Sequence, residues 1–201
     1  MAINLKKGER ISLKKSDGRA LDNFCIGANW GAINKKTIFG GNKKVAVDLD
    51  LSVGLFNAKN ELIETVYFGH LHANGIEHSG DDLVGDVYGD DGLDNEVMRI
   101  NLPYIRSNIK QVVFVLNSYK GQDFATIPFA SIRLYEGTPT EVKSTFATYN
   151  VAYDSKFSGY TSMILGKLYK RGDEWKFSAI GEPTKDKSLQ KTLQSVQSKY
   201  L

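Results

Sequence analysis

Hydrophobic and polar residues alternate in short runs along the chain, and turn residues separate the runs. A period of two marks half-buried strands, because successive side chains on a strand point to opposite faces. Residues 45–54 are the clearest case. Val45, Val47, Leu49, Leu51 and Val53 fall on one face, and Ala46, Asp48, Asp50, Ser52 and Gly54 on the other. Asn57-Ala58-Lys59-Asn60 supplies a hairpin turn into a returning strand over 62–68. Further strands are predicted at 11–13, 24–30, 96–102, 130–135, 140–149, 161–170 and 175–181, with Arg171-Gly172-Asp173 turning between the last two. Residues 111–118 hold the apolar run from Val112 to Leu116, which predicts a central strand covered on both faces. The Gly/Lys-rich stretch 35–44 and the Gly/Asp-rich stretch 73–95 read as loops.

Roughly nine or ten strands predict an all-β fold, a two-sheet β-sandwich. The end of the chain follows a different period. Leu189, Leu193, Val196 and Tyr200 fall at helical spacing, and Asp186 is placed to cap the helix they predict. The expected organisation is one sandwich domain over 1–182 and a short C-terminal helix within 183–201, packed on the same domain. A chain of 201 residues can bury such a core without covalent staples. The lone cysteine, Cys25, excludes an intramolecular disulfide and sits in an alternating apolar strand, so it reads as a buried thiol. The N-terminal residues have no signal-type apolar stretch, and no run approaches the length that spans a bilayer, so a cytoplasmic location is expected.

Charge adds the candidate chemistry. Residues 81–96 contain Asp81, Asp82, Asp86, Asp90, Asp91, Asp94 and Glu96 and no Lys or Arg, leaving 16 acidic against 26 basic residues elsewhere. Seven carboxylates in one short segment repel each other unless a cation or water screens them. The glycines among them let the backbone turn sharply, so that carboxylate and carbonyl oxygens can converge. Converging oxygens suit calcium, which takes about six to eight of them at about 2.3–2.6 Å. Asp48, Asp50 and Ser52 add a second polar row on one strand face. The competing reading is a solvated acidic loop, and the glycine spacing and the paired strand aspartates weigh against it. The spacing is not that of an EF-hand: with Gly85, Gly89 or Gly92 at the turn position, Gly80, Val84 or Val87 falls where the first aspartate belongs. No Cys or His is interleaved with the acids, which disfavours zinc and copper. His70, His72 and His78 read as two strand histidines and one loop histidine rather than a transition-metal site. The scattered pairs Lys6-Lys7, Lys14-Lys15, Lys35-Lys36 and Lys43-Lys44 read as solvated surface, so no specific nucleic-acid contact is expected.

Several separated strings resemble one family. Asp48-Leu49-Asp50-Leu51-Ser52, His78-Ser79-Gly80-Asp81-Asp82-Leu83-Val84-Gly85-Asp86, Gly89-Asp90-Asp91 through Glu96-Val97, Gly166-Lys167-Leu168-Tyr169 with Glu174-Trp175-Lys176-Phe177, and the early Gly27-Ala28-Asn29-Trp30 are similar to strings of the TerD-type tellurium-resistance proteins. They occur in the family's order over about residues 1–182. The resemblance implies a β-sandwich with two calcium sites near one edge, in a bacterial cytoplasmic protein tied to tellurite resistance and other stresses. It implies no enzymatic activity, and a role beside partner proteins at the inner membrane, including other tellurium-resistance proteins. Three departures stand out. Gly92-Leu93-Asp94-Asn95 sit where many members have no residues, Val84 replaces a threonine, and Gly31 replaces an aspartate. Asp48, Asp50, Asp82, Asp86, Asp90 and Asp91 are the leading candidate ligands, with Asp81, Asp94 and Glu96 behind them. Two other functions fit the same acids: metal-dependent hydrolysis of phosphate compounds, and calcium-dependent attachment to a membrane surface.

Overall fold

The structure, a computed structural model, describes residues 3–15, 17–36, 40–150 and 157–201. The strands are β1 (Ile3–Asn4), β2 (Arg10–Ser12), β3 (Asn23–Trp30), β4 (Ile33–Lys36), β5 (Asn42–Val45), β6 (Leu49–Asn57), β7 (Leu62–Val66), β8 (His72–Ala73), β9 (Ile76–His78), β10 (Glu96–Asn101), β11 (Ile109–Ser118), β12 (Ala130–Thr138), β13 (Glu141–Asn150), β14 (Ser162–Arg171) and β15 (Glu174–Thr184), followed by one helix, α1 (Leu189–Lys199). One sheet runs β1-β13-β12-β3-β10-β9-β8 and the other β2-β15-β14-β11-β6-β7, with β4-β5 as a separate hairpin. The fold is all-β and sandwich-like.

The alternation seen in the sequence builds the core. Phe24, Ile26, Ala28 and Trp30 from β3, with Met98 and Ile100 from β10, face Leu49, Leu51, Val53 and Leu55 from β6 and Val112, Phe114 and Leu116 from β11. On the other face of β6 and β11 lie Asp50, Ser52, Gly54, Phe56, Val113, Val115 and Asn117. The helix covers half of that face: Leu193 and Val196 pack with Phe56, Val113, Val115 and Ile164. Its approach depends on Gly54, where a Cβ would come within 2.8 Å of Leu193 Cδ2. Thus β11, between β6 and β14, is buried on both sides, as its apolar run predicts.

Three local expectations are corrected. The loop expected at 35–44 begins and ends as the hairpin β4–β5, with Ile33 paired to Val45 and Lys36 to Asn42. Lysines line both exposed strands, so no apolar face betrays the pairing; residues 37–39 of that expectation lie outside the described residues. The stretch 73–95 is not wholly irregular, because Ala73 pairs with Ile76 across a turn at Gly75, whose φ is +79°, and β9 then pairs with β10. The helix cap is Ser188, in extended conformation, whose side chain accepts from Lys191 N. Asp186 is held two residues earlier, where its carbonyl accepts from Ser162 Oγ. No described helix is long and apolar enough to cross a membrane.

Candidate metal centre

Strand order brings the end of β3, the start of β6 and the start of β10 to one end of the sandwich, and the acidic loop between β9 and β10 lies over it. Backbone bonds lace that loop down. Asp86 N donates to Trp30 O at 2.9 Å, Ala32 N to Asp86 O at 3.1 Å, and Val47 N to Val84 O at 3.1 Å. Trp30 Nε1 donates to Val47 O at 2.8 Å, so the buried indole ties β3 to the segment entering β6. The loop crosses the indole at Gly85, with φ +66°, where a Cβ would sit 2.5 Å from the ring. Only glycine meets both demands.

Two carboxylate groups result. In the first, one oxygen each from Asp48, Asp50 and Asp81 lies within 4.8 Å of the others. Asp48 and Asp50 are buried and Asp81 is exposed. Burial, with the charges of Glu96, Asp48 and Asp81 around it, pushes the Asp50 carboxyl up to about 8. Lys120 Nζ stands 3.1 Å from Asp48 Oδ2. Asp48 Oδ1 is buried with no hydrogen-bond partner among the described residues.

In the second group Asp86, Asp90 and Asp91 come within the same 4.8 Å. Asp90 Oδ1 accepts from Asn29 Nδ2 at 2.9 Å and Gly92 N at 2.8 Å, and Asp91 Oδ1 accepts from Leu93 N at 2.9 Å. Asn95 Nδ2 donates to Asp86 Oδ1 at 3.1 Å, while Asn95 Oδ1 accepts from Trp30 N at 2.8 Å. Burial pushes the Asp86 carboxyl up, against the Asn95 hydrogen bond. Its Oδ2 is buried and has no partner among the described residues.

Asp82, Asp94 and Glu96 stand outside both groups. Asp82 Oδ1 accepts from Val84 N and Gly85 N at 2.9 and 2.8 Å, which closes a turn. Glu96 is a clamp: Oε2 accepts from Leu51 N at 2.7 Å and Oε1 from Asp82 N at 3.2 Å, joining the strand of Asp50 to the loop of Asp81. His78 Nδ1 accepts from Gly80 N at 3.0 Å, so in the neutral ring Nε2 carries the proton, 3.0 Å from Leu51 O and 3.3 Å from Glu96 Oε2. Burial raises the Glu96 carboxyl, and the hydrogen bond from His78 opposes that. Asp94 Oδ2 accepts from Arg133 Nε at 2.8 Å, over Gly27, where a Cβ would fall 1.9 Å from that oxygen. Burial pushes Asp94 up to about 6, with Arg133 pulling the other way. The stretch Gly92-Leu93-Asp94-Asn95 therefore fastens the loop to β12 through Asp94 and to Trp30 through Asn95.

Asn29, His78, Asn95 and Arg133 hold the site together. The first three lie in or beside the family-like strings, but none of the four is expected to act there from sequence, and Arg133 lies outside those strings. Asn29 gives a further signal, as a polar residue within the apolar run of β3. The donor set near both groups is oxygen only. Buried carboxylate oxygens are normally hydrogen-bonded. Asp94 Oδ1 and Asp186 Oδ2 are also without a partner among the described residues, but Asp48 Oδ1 and Asp86 Oδ2 each belong to a cluster of three carboxylates, and that combination fits a hard divalent cation such as calcium.

Fold and site define a β-sandwich that carries two carboxylate clusters under one anchored loop. A family model for the TerD domain matches residues 1–195, and the chain belongs to that family. It is 37% identical to stress response protein SCP2 of Bacillus subtilis (strain 168), over 94% of this chain and 96% of that one. It is 28% identical to tellurium resistance protein TerZ of Serratia marcescens, over 93% of each. Among solved structures, a homologue of telluride resistance protein TerD from Streptomyces coelicolor A3(2) superposes with a TM-score of 0.62 at 13% identity, over 82% of this chain and 91% of that one.

Proposed function

We propose that the chain is a calcium-binding stress-response protein that acts by binding rather than by catalysis. One ion is held by Asp48, Asp50 and Asp81 and a second by Asp86, Asp90 and Asp91. The observation that carries the reading is the convergence of three carboxylates in each group around one buried, unpartnered oxygen, Asp48 Oδ1 in the first and Asp86 Oδ2 in the second. A solvated acidic loop would turn such atoms to water. Backbone carbonyls and waters complete the coordination, since three carboxylates fall short of what calcium takes. Bound ions cancel the repulsion within each group, so the metal orders this end of the sandwich and presents it to a partner. The names of the relatives support a place in tellurite and general stress resistance; on this reading the chain works in the cytoplasm, peripheral to the inner membrane and beside other tellurium-resistance proteins. A ligand that binds only the folded state raises its stability as concentration passes the dissociation constant. The melting temperature of the metal-free chain therefore climbs on titration from micromolar to millimolar calcium. A melting temperature that stays flat over that range rejects the reading.

A further inference from the structure

Beside the first acidic group, α1 stops short of the end of the sheet and leaves a cleft of about 240 Å³. Its floor is polar and buried: Asp50, Ser52 and Asn117, on adjacent strands with Asp50 opposite Asn117. Two floor atoms are orphaned. Ser52 Oγ and Asn117 Oδ1 are both buried without a hydrogen-bond partner among the described residues, on side chains 1% and 6% exposed. Asn117 has fixed its orientation already, because its amide donates to Ser162 Oγ at 2.6 Å and Thr192 Oγ1 at 2.9 Å. Its carbonyl oxygen is thus committed as an acceptor. One side of the rim is aromatic, with Phe68 meeting Tyr67 at 5.3 Å and Tyr119 at 5.9 Å, both edge-on, and Phe68 and Tyr119 exposed; the other is formed by Lys187 to Leu189 at the start of the helix.

We propose that this cleft binds a small ring-borne vicinal diol, whose hydroxyl oxygens complete the cation held by Asp48, Asp50 and Asp81. The proposal rests on the calcium reading of that site. The donor inventory selects the chemistry. A hydroxyl can give a lone pair to the cation and its proton to Asn117 Oδ1 or an Asp50 oxygen at the same time. Lys187 also lines the cleft and could meet an anion, but a carboxylate or a fully ionised phosphate group only accepts, and at the floor it would set a second acceptor against Asn117 Oδ1. Inorganic phosphate, which keeps a proton near neutral pH, is therefore the control that separates the two chemistries. Ser52 Oγ, free to donate or accept, suits the second hydroxyl. The aromatic rim then covers the apolar face of the ring. The cleft is smaller than the roughly 300–1,000 Å³ of drug-sized sites, which limits the ligand to about one ring with its substituents. A pyranose and the ribose of a nucleoside both carry the required diol.

The test is calorimetric titration of the full chain with methyl α-mannopyranoside, adenosine, deoxyadenosine and inorganic phosphate, each in calcium and in EDTA. The expected result is binding of the mannoside or of adenosine in calcium, lost in EDTA, with deoxyadenosine binding on the order of ten-fold or more weaker than adenosine. Which of the two binds identifies the source of the diol. Ser52→Ala should weaken that binding by up to about ten-fold, and the exposed Tyr119→Ala should weaken it as well, while calcium titrates both variants as it does the parent. Calcium binding with no diol binding overturns the proposal and leaves the calcium reading intact. Diol binding that survives EDTA, binding of phosphate alone, or full diol affinity in Ser52→Ala also overturns it. Absence of calcium binding removes both.

Discussion

Two aspartates of similar burial have opposite roles, and their neighbours decide which. Asp94 has Arg133 at 2.8 Å, so its charge is answered by the protein itself. Asp50 has no such partner: burial, with the charges of Glu96, Asp48 and Asp81 around it, holds its carboxyl up to about 8. A buried group in that position either keeps its proton or awaits a cation. The two therefore respond differently to removal. Asp94→Ala leaves a half-buried guanidinium without its hydrogen-bond partner and costs about 1–3 kcal/mol in denaturant unfolding, yet the variant still takes up two calcium ions. Loss of an ion in Asp94→Ala would make Asp94 a ligand instead of an anchor. Glu96, set between Leu51 N and Asp82 N, belongs with Asp94 as an anchor even though it ends the acidic segment.

At the scale of elements, the clearest lever is the helix. Leu193 lies against Phe56, Val113, Val115 and Ile164, on the sheet face whose uncovered end carries Asp50. Leu193→Ala removes buried methyl groups and should destabilise the chain by about 2–4 kcal/mol in urea unfolding. An effect below about 0.5 kcal/mol would mean that the helix does not depend on this contact. Elements were legible in the sequence where one face met the core and the other met solvent or the helix. Leu49, Leu51 and Val53 against Asp50 and Ser52 fixed both the strand β6 and its orientation, and the run from Val112 to Leu116 marked a strand with two buried faces. The hairpins β4–β5 and β8–β9 were not legible, because lysine-lined or two-residue strands carry no apolar period. The site was legible as composition and only partly as geometry. That acids of 81–96 cluster with Asp48 and Asp50 could be read. Sorting Asp81 into one group, Asp86, Asp90 and Asp91 into another, and Asp82, Asp94 and Glu96 into neither depends on Arg133, Trp30 and Leu51, which are distant in sequence.

For the whole molecule the raised carboxyls set the dependence on pH. Asp50, Asp86, Asp94 and Glu96 all lie above the ordinary range, Asp50 at about 8 and Asp94 at about 6. A carboxyl raised on folding means that the folded state binds protons which the unfolded chain has already released. Its stabilising effect is complete below about pH 4 and is lost as pH rises through the folded value. The melting temperature of the metal-free chain should accordingly fall between about pH 5 and pH 8.5. Saturating calcium should flatten that fall, because the ion replaces the protons; a profile that rises over the same interval would place the charges elsewhere. The most direct test of two separate cation sites is calorimetric titration of calcium into the metal-free chain, with Asp50→Asn and Asp90→Asn alongside. Two ions per chain are predicted, falling to one in each variant. A parent that binds no calcium, or a count that neither substitution changes, would contradict it.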